Sequence, residues 1–385
     1  MSEWREGTLS DIAEFEMGQS PEGDTCNGVG TGVPLLNGPT EFGIRNPKAV
    51  QFTTDPKRFS KSGDILFCVR GSTTGKMNWS DQDYAIGRGL AALRHKKGSE
   101  FKYYLKAVLD FNLDLLLASA TGSTFPNVSK NQIASLEVSI PPPEEQKAIS
   151  SVLSSLDDKI DLLNCQNTTL ISMAESLFRQ WFVKEAQGDW EEYKVSELAS
   201  HIKLGVNPSA NPLIEYHHYS LPAFDEGQKP VVELGTEILS NKYKVPNRSI
   251  LVSKLNPRLP RIWSIGDIST QNAICSTEFQ VFIPKQPELY AYLYFLFGSS
   301  DAKDALEMAA SGTSGSHQRV RPEDILNITT TLPSLDLAMK YSEITNPFLD
   351  KMIKNRKQIQ TLEKLRDTLL PKLMSGEITI KTEVI

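Results

Sequence analysis

Residues 4–13 of the chain read WREGTLSDIA, and residues 190–199 read WEEYKVSELA. The Trp, Glu, Ser and Ala of the two stretches coincide, and three more positions hold chemically similar residues. The correspondence continues downstream, where residues 63–67 match residues 248–252. Because a solenoid needs shorter and more numerous repeats, this duplication predicts two large halves built on one plan and related by pseudo-twofold symmetry.

Each half ends in a long amphipathic helix. Residues 141–143 are prolines followed by two glutamates, which suit the first turn of a helix. From Ile149 to Trp181 apolar residues recur at alternating steps of four and three, and a similar seam follows Pro333 until Gly376. This spacing is typical of a coiled coil. Helices of about 40 residues would each reach about 60 Å.

Three polar side chains interrupt the apolar seam, namely Asn167, Asn355 and Arg366. Polar residues at such positions commonly fix the register and orientation of paired helices, at some cost in stability. They are also suited to meet a partner protein where a helical bundle branches. The sequence leaves both interpretations open.

The segments before the long helices mix strands and helices. In the first half, residues 64–70 and 90–93 predict buried strands, and residues 101–118 predict an apolar helix. The second half predicts two strands and a helix in residues 249–253, 277–283 and 288–297. Loops rich in Gly, Ser, Thr, Asn and Pro connect these elements.

The fold class that follows is α+β, with two mixed α/β domains separated by two long coiled-coil helices. The predicted domains are residues 1–140 and 187–332. The predicted long helices are residues 141–186 and 333–378, and residues 379–385 form a tail.

The charge of the chain is unevenly distributed. With 385 residues, 39% hydrophobic and 23% charged, the composition is that of an ordinary globular protein. The net charge of −6 argues against binding to nucleic acid, which usually requires a basic surface. Two segments are nevertheless basic: residues 45–97 hold eleven Lys or Arg against four Asp, and residues 241–262 hold six and no acid. Either segment alone is also compatible with chance variation on a solvated surface.

The sequence carries no sign of export or membrane insertion. Its start lacks the basic end and apolar stretch of a signal peptide, and its longest apolar run, residues 289–297, is too short to span a bilayer. The four cysteines are scattered, without the spacing of a zinc site or a disulfide framework. These features predict a cytoplasmic protein with no membrane contact.

Stretches that approach catalytic motifs fail on their spacing. Residues 71–77, GSTTGKM, lack both the four residues between glycines and the Ser or Thr after the lysine that a P-loop requires. The glycines of residues 28–32 follow no apolar strand and favour a flexible turn over a dinucleotide loop. The five histidines show no metal-ligand spacing, and no Asn-Pro-Pro-aromatic motif of an amino-methylating enzyme occurs. We therefore expect a chain that is not itself an enzyme and holds no metal or cofactor.

Four stretches resemble the specificity subunit of type I restriction-modification systems. They read IPPPEEQKAI at 140–149, LDDKI at 156–160, AESLFRQWF at 174–182 and LEKLRDTLLPKLMSGEI at 362–378. Together with the duplication, the resemblance covers essentially the whole chain. The second joint departs from it, because LDLA at 335–338 replaces the Glu-Gln pair of the first, which puts in doubt only how the second helix begins.

The resemblance implies a division of labour among several proteins. Each globular half would be a target-recognition domain that reads one half of a split site in double-stranded DNA. The two helices would lie antiparallel and act as a ruler between these domains. Two methyltransferase subunits would dock on the helices and methylate adenine, and motor-nuclease restriction subunits would cut unmodified DNA. S-adenosylmethionine, ATP and magnesium would belong to those partners.

The candidate DNA contacts are polar and basic side chains that can bind base edges or phosphates. They lie chiefly in the loop after each buried strand and in a matching later loop. In the first domain they are Arg45, Arg70, Ser72, Thr73, Thr74, Lys76, Arg88, Ser123 and Asn127. In the second domain they are Lys254, Asn256, Arg258, Arg261, His317, Gln318 and Arg319.

Three other functions compete with this hypothesis. A stand-alone nuclease or methylase predicts that the chain alone modifies DNA. A coiled-coil scaffold with no DNA role predicts no salt-sensitive DNA binding. The closest alternative is the recognition subunit of a related system in which methylase and nuclease share one partner chain, and neighbouring genes would distinguish it.

Overall fold

The structure, a computed structural model, describes residues 4–120, 126–268, 270–310 and 318–380. The chain divides into two compact units, of which the first is Met1–Leu162 with Thr361–Ile385 and the second is Leu163–Gln360. Each unit contains one globular segment and parts of two long helices. The expected α+β class, with two repeated mixed segments and long helices, is confirmed.

The first globular segment contains eleven short strands and four short helices in its described part. The strands are β1 (Arg5–Thr8), β2 (Ala13–Met17), β3 (Cys26–Asn27), β4 (Val33–Leu36), β5 (Gln51–Thr53), β6 (Phe59–Ser60), β7 (Ile65–Cys68), β8 (Met77–Trp79), β9 (Tyr84–Ile86), β10 (Leu90–His95) and β11 (Glu137–Ile140). The helices are α1 (Leu9–Ile12), α2 (Lys102–Phe111), α3 (Leu113–Ala118) and α4 (Lys130–Ala134). The first long helix, α5 (Pro143–Arg179), follows.

Three sheets organise this segment. Their strand orders are β1-β11, β2-β10-β7-β8 and β3-β5-β4-β9-β6. Within the third sheet β4 and β9 run parallel, and all its other pairings are antiparallel. β7, which lies inside the four-stranded sheet, is buried along its whole length, as its continuous apolar run predicts.

The main core of the first unit brings α2 together with the four-stranded sheet. Tyr104 of α2 and Phe67 of β7 are both fully buried in it. The single helix predicted over residues 101–118 is divided into α2 and α3 at Asn112. The side-chain amide of Asn112 donates to the carbonyl of Val108 at 2.8 Å, and such local bonds compete with regular helix hydrogen bonding.

The second globular segment repeats this plan. Its strands are β12 (Glu191–Lys194), β13 (Ala199–Ile202), β14 (Gly205–Val206), β15 (Glu215–Tyr219), β16 (Val231–Leu234), β17 (Lys242–Lys244), β18 (Ile250–Ser253), β19 (Ile262–Ser264), β20 (Ala273–Cys275), β21 (Phe279–Pro284) and β22 (Thr329–Leu332). Its helices are α6 (Val195–Leu198), α7 (Leu221–Asp225), α8 (Tyr290–Phe297), α9 (Ser300–Ala309) and α10 (Pro322–Leu326), and the second long helix is α11 (Leu335–Met374).

The two-stranded and four-stranded sheets of the second segment match those of the first, whereas the five-stranded sheets differ at one edge, where β3 pairs with β5 but β14 pairs with β17. Their orders are β12-β22, β13-β21-β18-β19 and β14-β17-β20-β15-β16. The five-stranded sheet again contains one parallel pair, β15 with β20. β18 stands where β7 stands in the first segment, inside a four-stranded sheet and completely buried.

Within the second unit, α5 and α11 run antiparallel. The hydroxyl of Tyr341 donates to the carbonyl of Ala174 at 2.9 Å, and the side-chain amide of Asn355 donates to Asn167 Oδ1 at 2.9 Å. Residue numbers therefore rise along α11 as they fall along α5. The two seam asparagines bond to each other, as the register interpretation expects.

Within the first unit the two helices show the same polarity. Arg366 Nη1 lies 3.1 Å from Asp157 Oδ1, and about two helical turns further on, Leu373 shares the hydrophobic core with Ile149. Arg366 also pairs with Asp367 at 3.0 Å. The third polar seam residue is therefore neutralised by carboxylates of the helices themselves.

Candidate nucleic-acid interface

Each globular segment carries a hairpin loop of the same length at the same place in its four-stranded sheet. The first loop, residues 69–76, joins β7 to β8, and the second loop, residues 254–261, joins β18 to β19. Backbone N–H to carbonyl bonds of 2.9 Å close both loops, in the pairs Cys68–Lys76 and Ser253–Arg261. The two loops therefore correspond residue by residue, in the register that the sequence repeat predicts.

Both loops contain the same internal turn. Thr74 N–H donates to the carbonyl of Gly71 at 3.1 Å, and Leu259 N–H donates to the carbonyl of Asn256 at 3.0 Å. Gly71 has φ +92° and Asn256 has φ +53°, so each turn begins with a left-handed residue. Glycine adopts this conformation freely, and asparagine adopts it more readily than most residues.

A later segment of the chain anchors each loop. The backbone N–H of Gly71 donates to the carbonyl of Pro126 at 3.1 Å, and the backbone N–H of Asn256 donates to the carbonyl of Gln318 at 3.0 Å. Isolated β-bridges add a second anchor in the pairs Arg70–Asn127 and Leu255–Arg319. The predicted contacts Ser123 and His317 belong to these later segments but lie outside the described residues.

The first loop brings several predicted contacts together. Arg70, Ser72 and Lys76 are exposed, whereas Thr73 and Thr74 are half-buried. The hydroxyl of Thr74 lies 2.8 Å from two backbone carbonyls and supports the loop from within. Arg70 Nε donates to the side-chain oxygen of Asn127 at 3.4 Å, and Arg88, also exposed, lies on the turn between β9 and β10.

Arg45 occupies different surroundings. Its guanidinium lies 2.8 Å from Asp158 and 2.6 Å from Asp161, both on α5, and it also donates to the hydroxyl of Tyr103 at 2.7 Å. These bonds attach its loop to the long helix. A DNA contact by Arg45 stays a prediction, and it would have to share the guanidinium with two carboxylates.

The second loop brings its own cations together, and most of them face carboxylates. Arg258 is the freest, with a side chain 64% exposed and Glu307 no closer than 4.0 Å. Lys254 lies 3.8 Å from Glu278, and Arg319 lies 3.4 Å from the same residue. Asn256 and Gln318, which bond through their backbones, are both half-buried.

Arg261 makes the tightest ion pair of this loop. Its Nε and Nη2 donate to the two carboxylate oxygens of Asp225 at 2.7 and 2.8 Å. The hydrogen bonds from Arg261 lower the pKa of the Asp225 carboxyl. The pair is therefore charged at neutral pH and fixes the end of the loop.

Comparison with known proteins identifies the family of the chain. The sequence model of the family described as "Type I restriction modification DNA specificity domain" matches residues 1–172 and again residues 187–364. The chain belongs to this family. Each of the two matches contains one copy of the anchored loop.

Relatives in this specificity family that align with almost the whole chain are 23% or 24% identical to it in sequence. The chain is 24% identical to the Type I restriction enzyme MjaIX specificity subunit of Methanocaldococcus jannaschii, over 98% of this chain and 94% of that protein. It is 23% identical to the Type I restriction enzyme HindI specificity subunit of Haemophilus influenzae, over 98% of this chain and all of that protein. A solved type I S subunit from M. genitalium has the same fold, with a TM-score of 0.61, 18% identity and coverage of 97% and 96%.

The described part of this specificity-family chain contains no cluster of three or more His, Cys, Asp or Glu side chains placed to hold a metal ion. Among the helices in residues 4–120, 126–268, 270–310 and 318–380, none combines the length and apolar character that a membrane crossing needs.

The choice of polar and basic residues as candidate DNA contacts left out one exposed side chain of the second loop. Leu259 is 64% exposed and stands at the position that Thr74 occupies in the first loop. Extending the match of residues 63–67 with 248–252 along the chain would have aligned these two residues. Leucine is neither polar nor basic, so residue type alone does not mark it as a DNA contact. Asp225 and Glu278, the counter-charges of this loop, are likewise not recognisable from their place in the sequence.

Proposed function

We propose that this chain reads a bipartite site in double-stranded DNA, with one half-site for each globular segment. Residues 1–140 and 187–332 act as the two target-recognition domains, and the first and second loops lie in the DNA grooves. The observation that carries the proposal is the duplicated loop, which has one backbone frame and two different sets of side chains.

The difference between the loops suits the reading of two unlike half-sites. The first loop reads VRGSTTGK and the second reads KLNPRLPR. Contacts to phosphate and sugar position a protein on DNA, whereas side chains on base edges read the sequence. A shared frame would therefore set the same approach to DNA twice, and the exchanged side chains would select different bases.

The exposed cations are the strongest candidates for contacts with DNA. Arg70, Lys76 and Arg88 in the first domain, and Arg258 in the second, suit phosphates or guanine edges. Lys254 and Arg319 face Glu278, and Arg261 faces Asp225, so each of these cations would have to share or exchange its carboxylate to contact DNA. The remaining contacts that we propose are Arg45, Ser72, Thr73, Thr74, Ser123, Asn127, Asn256, His317 and Gln318.

The long helices would carry the partners. Residues 141–186 and 333–378 would form the docking surface for two methyltransferase subunits, and restriction subunits with motor and nuclease activity would join them. Exposed apolar side chains on these helices support this role: Leu162, Met173, Ile344 and Leu365 are 43–50% exposed. S-adenosylmethionine, ATP and magnesium would bind to the partners, so that this chain directs adenine methylation in the cytoplasm without catalysing it.

The test is methylome sequencing of cells that express the chain with its methyltransferase. We expect one methylated motif with two half-sites and a gap. Exchanging residues 1–140 for those of a relative should change one half-site and leave the other, and exchanging residues 187–332 is the matched reciprocal. A change of both half-sites in either exchange would refute the modular assignment, and unmethylated DNA would refute the function. Purification of a single partner that both methylates and cuts would assign the chain to the related fused system.

A further inference from the structure

The apex of the second loop presents an apolar side chain among cations. Leu259 is 64% exposed, follows Arg258 directly and is two residues from Arg261. In the first loop the same position holds Thr74, whose hydroxyl bonds inward to the carbonyls of Gly71 and Pro126. A leucine cannot make those bonds, and here its side chain faces outward.

The backbone around Leu259 is held in place. Its N–H donates to the carbonyl of Asn256 at 3.0 Å, and the N–H of Asn256 donates to the carbonyl of Gln318 at 3.0 Å. Pro257 and Pro260 lie on either side, and each restricts φ to about −65°. Pro257 is buried, so it also ties the loop to the domain. The exposed leucine is therefore presented by a rigid loop, which lowers the entropy lost on binding.

Its position gives this leucine a role that an ordinary exposed leucine lacks. Single exposed apolar residues are common on protein surfaces and need no explanation by themselves. Leu259, however, lies in the basic stretch 241–262 and directly follows Arg258, whose exposed guanidinium suits the DNA backbone. In the major groove the only apolar feature of a base edge is the C5 methyl group of thymine. An aliphatic side chain carried among cations is complementary to that feature.

We propose that Leu259 is a specificity-determining residue that reads a thymine, through its C5 methyl group, in the half-site of the second domain. This inference rests on the proposed function. The first loop holds Thr74 at the corresponding position, a smaller, half-buried side chain whose hydroxyl bonds inward.

The test replaces thymine by deoxyuridine, which lacks the methyl group and keeps every hydrogen-bonding atom. Duplexes carrying the methylated motif are substituted at one thymine at a time, and their affinity for the assembled complex with methyltransferase is measured. We expect one position in the half-site of the second domain to weaken binding about fourfold, the value for one methyl group leaving an apolar contact. In the Leu259→Ala complex the same substitution should have no effect.

A matched control is Leu239→Ala, which removes a leucine that is 90% exposed in the same unit but outside the loop. That variant should keep the sensitivity to deoxyuridine. The inference is overturned if no thymine of that half-site is sensitive, or if Leu259→Ala retains the sensitivity. Neither result would affect a bipartite methylated motif, so failure of this inference can be told apart from failure of the proposed function.

Discussion

The pair Asp64–Arg94 offers a direct test of what holds the four-stranded sheet of the first segment together. Asp64 immediately precedes β7, and its side chain is 3% exposed. Its carboxylate accepts bonds from Arg94 Nε at 2.9 Å, from Arg94 Nη2 at 2.7 Å and from the N–H of Lys61 at 2.8 Å. Arg94 lies on β10, so the pair joins the two central strands of the four-stranded sheet.

The burial of the two partners sets the expected magnitudes. Arg94→Ala leaves the buried carboxylate of Asp64 with a single bond, and removing one partner of a buried pair costs about 3–5 kcal/mol. Asp64→Ala leaves the guanidinium of Arg94, whose side chain is 27% exposed and can regain water. We expect this second variant to cost less, about 2 kcal/mol. The double variant should cost less than the sum of the two, because the partners are in contact.

The assay is urea denaturation of the full chain, with hydrogen exchange of the β7 and β10 amides reporting on the first unit by itself. The matched control is Lys106→Ala, which breaks a partly exposed pair with Asp110 on α2 and should cost no more than about 0.5 kcal/mol. A cost below about 1 kcal/mol for Arg94→Ala, or a larger cost for Asp64→Ala, would refute the argument from burial.

Three further outcomes follow from the structure. Lys254→Ala with Arg258→Ala should weaken DNA binding and reduce the slope of log affinity against log salt by up to about two, and an unchanged slope would remove both residues from the interface. Burial lowers the pKa of His95 to about 4, so its neutral form stabilises the fold above pH 6.5 and that contribution falls as the pH approaches 4. Between pH 7 and pH 5 the native chain should therefore lose about 2 kcal/mol of unfolding free energy that His95→Gln does not lose, measured by urea denaturation. Tyr341→Phe removes the buried bond to the carbonyl of Ala174 and should cost about 1 kcal/mol in the same assay, and no cost would mean that this bond adds nothing.

Patterns within short stretches predicted the strands and helices well where the burial of apolar side chains is the dominant interaction. The continuous apolar runs of β7, β18 and β21 are buried strands, and the run predicted as a helix at 288–297 contains α8. The predicted helix over 101–118 is interrupted at Asn112, where the backbone leaves the helical conformation (φ −101°, ψ 10°) and the side-chain amide donates to the carbonyl of Val108. Apolar periodicity contains no information about such a bond.

The sequence predicted what kind of site this is, a surface for nucleic acid, and part of where it lies in the chain. The repeat places both loops, and the basic residues in them identify a surface suited to nucleic acid. The partners of those cations are not predictable in the same way: Arg261 bonds to Asp225, 36 residues away, and Arg45 bonds to Asp158, 113 residues away. The exposure of Leu259 is likewise a property of the folded loop and not of its residue type.

The amino-acid sequence by itself determined the duplication, the heptad seams of the two long helices and the family, since all three are patterns that recur along the chain. Only the tertiary structure decided which later segment anchors each loop, which carboxylate neutralises each cation and which side chain faces outward. The physical reason is that these properties arise from contacts between residues far apart in sequence, and their energies depend on distances and burial that exist only after the chain has folded.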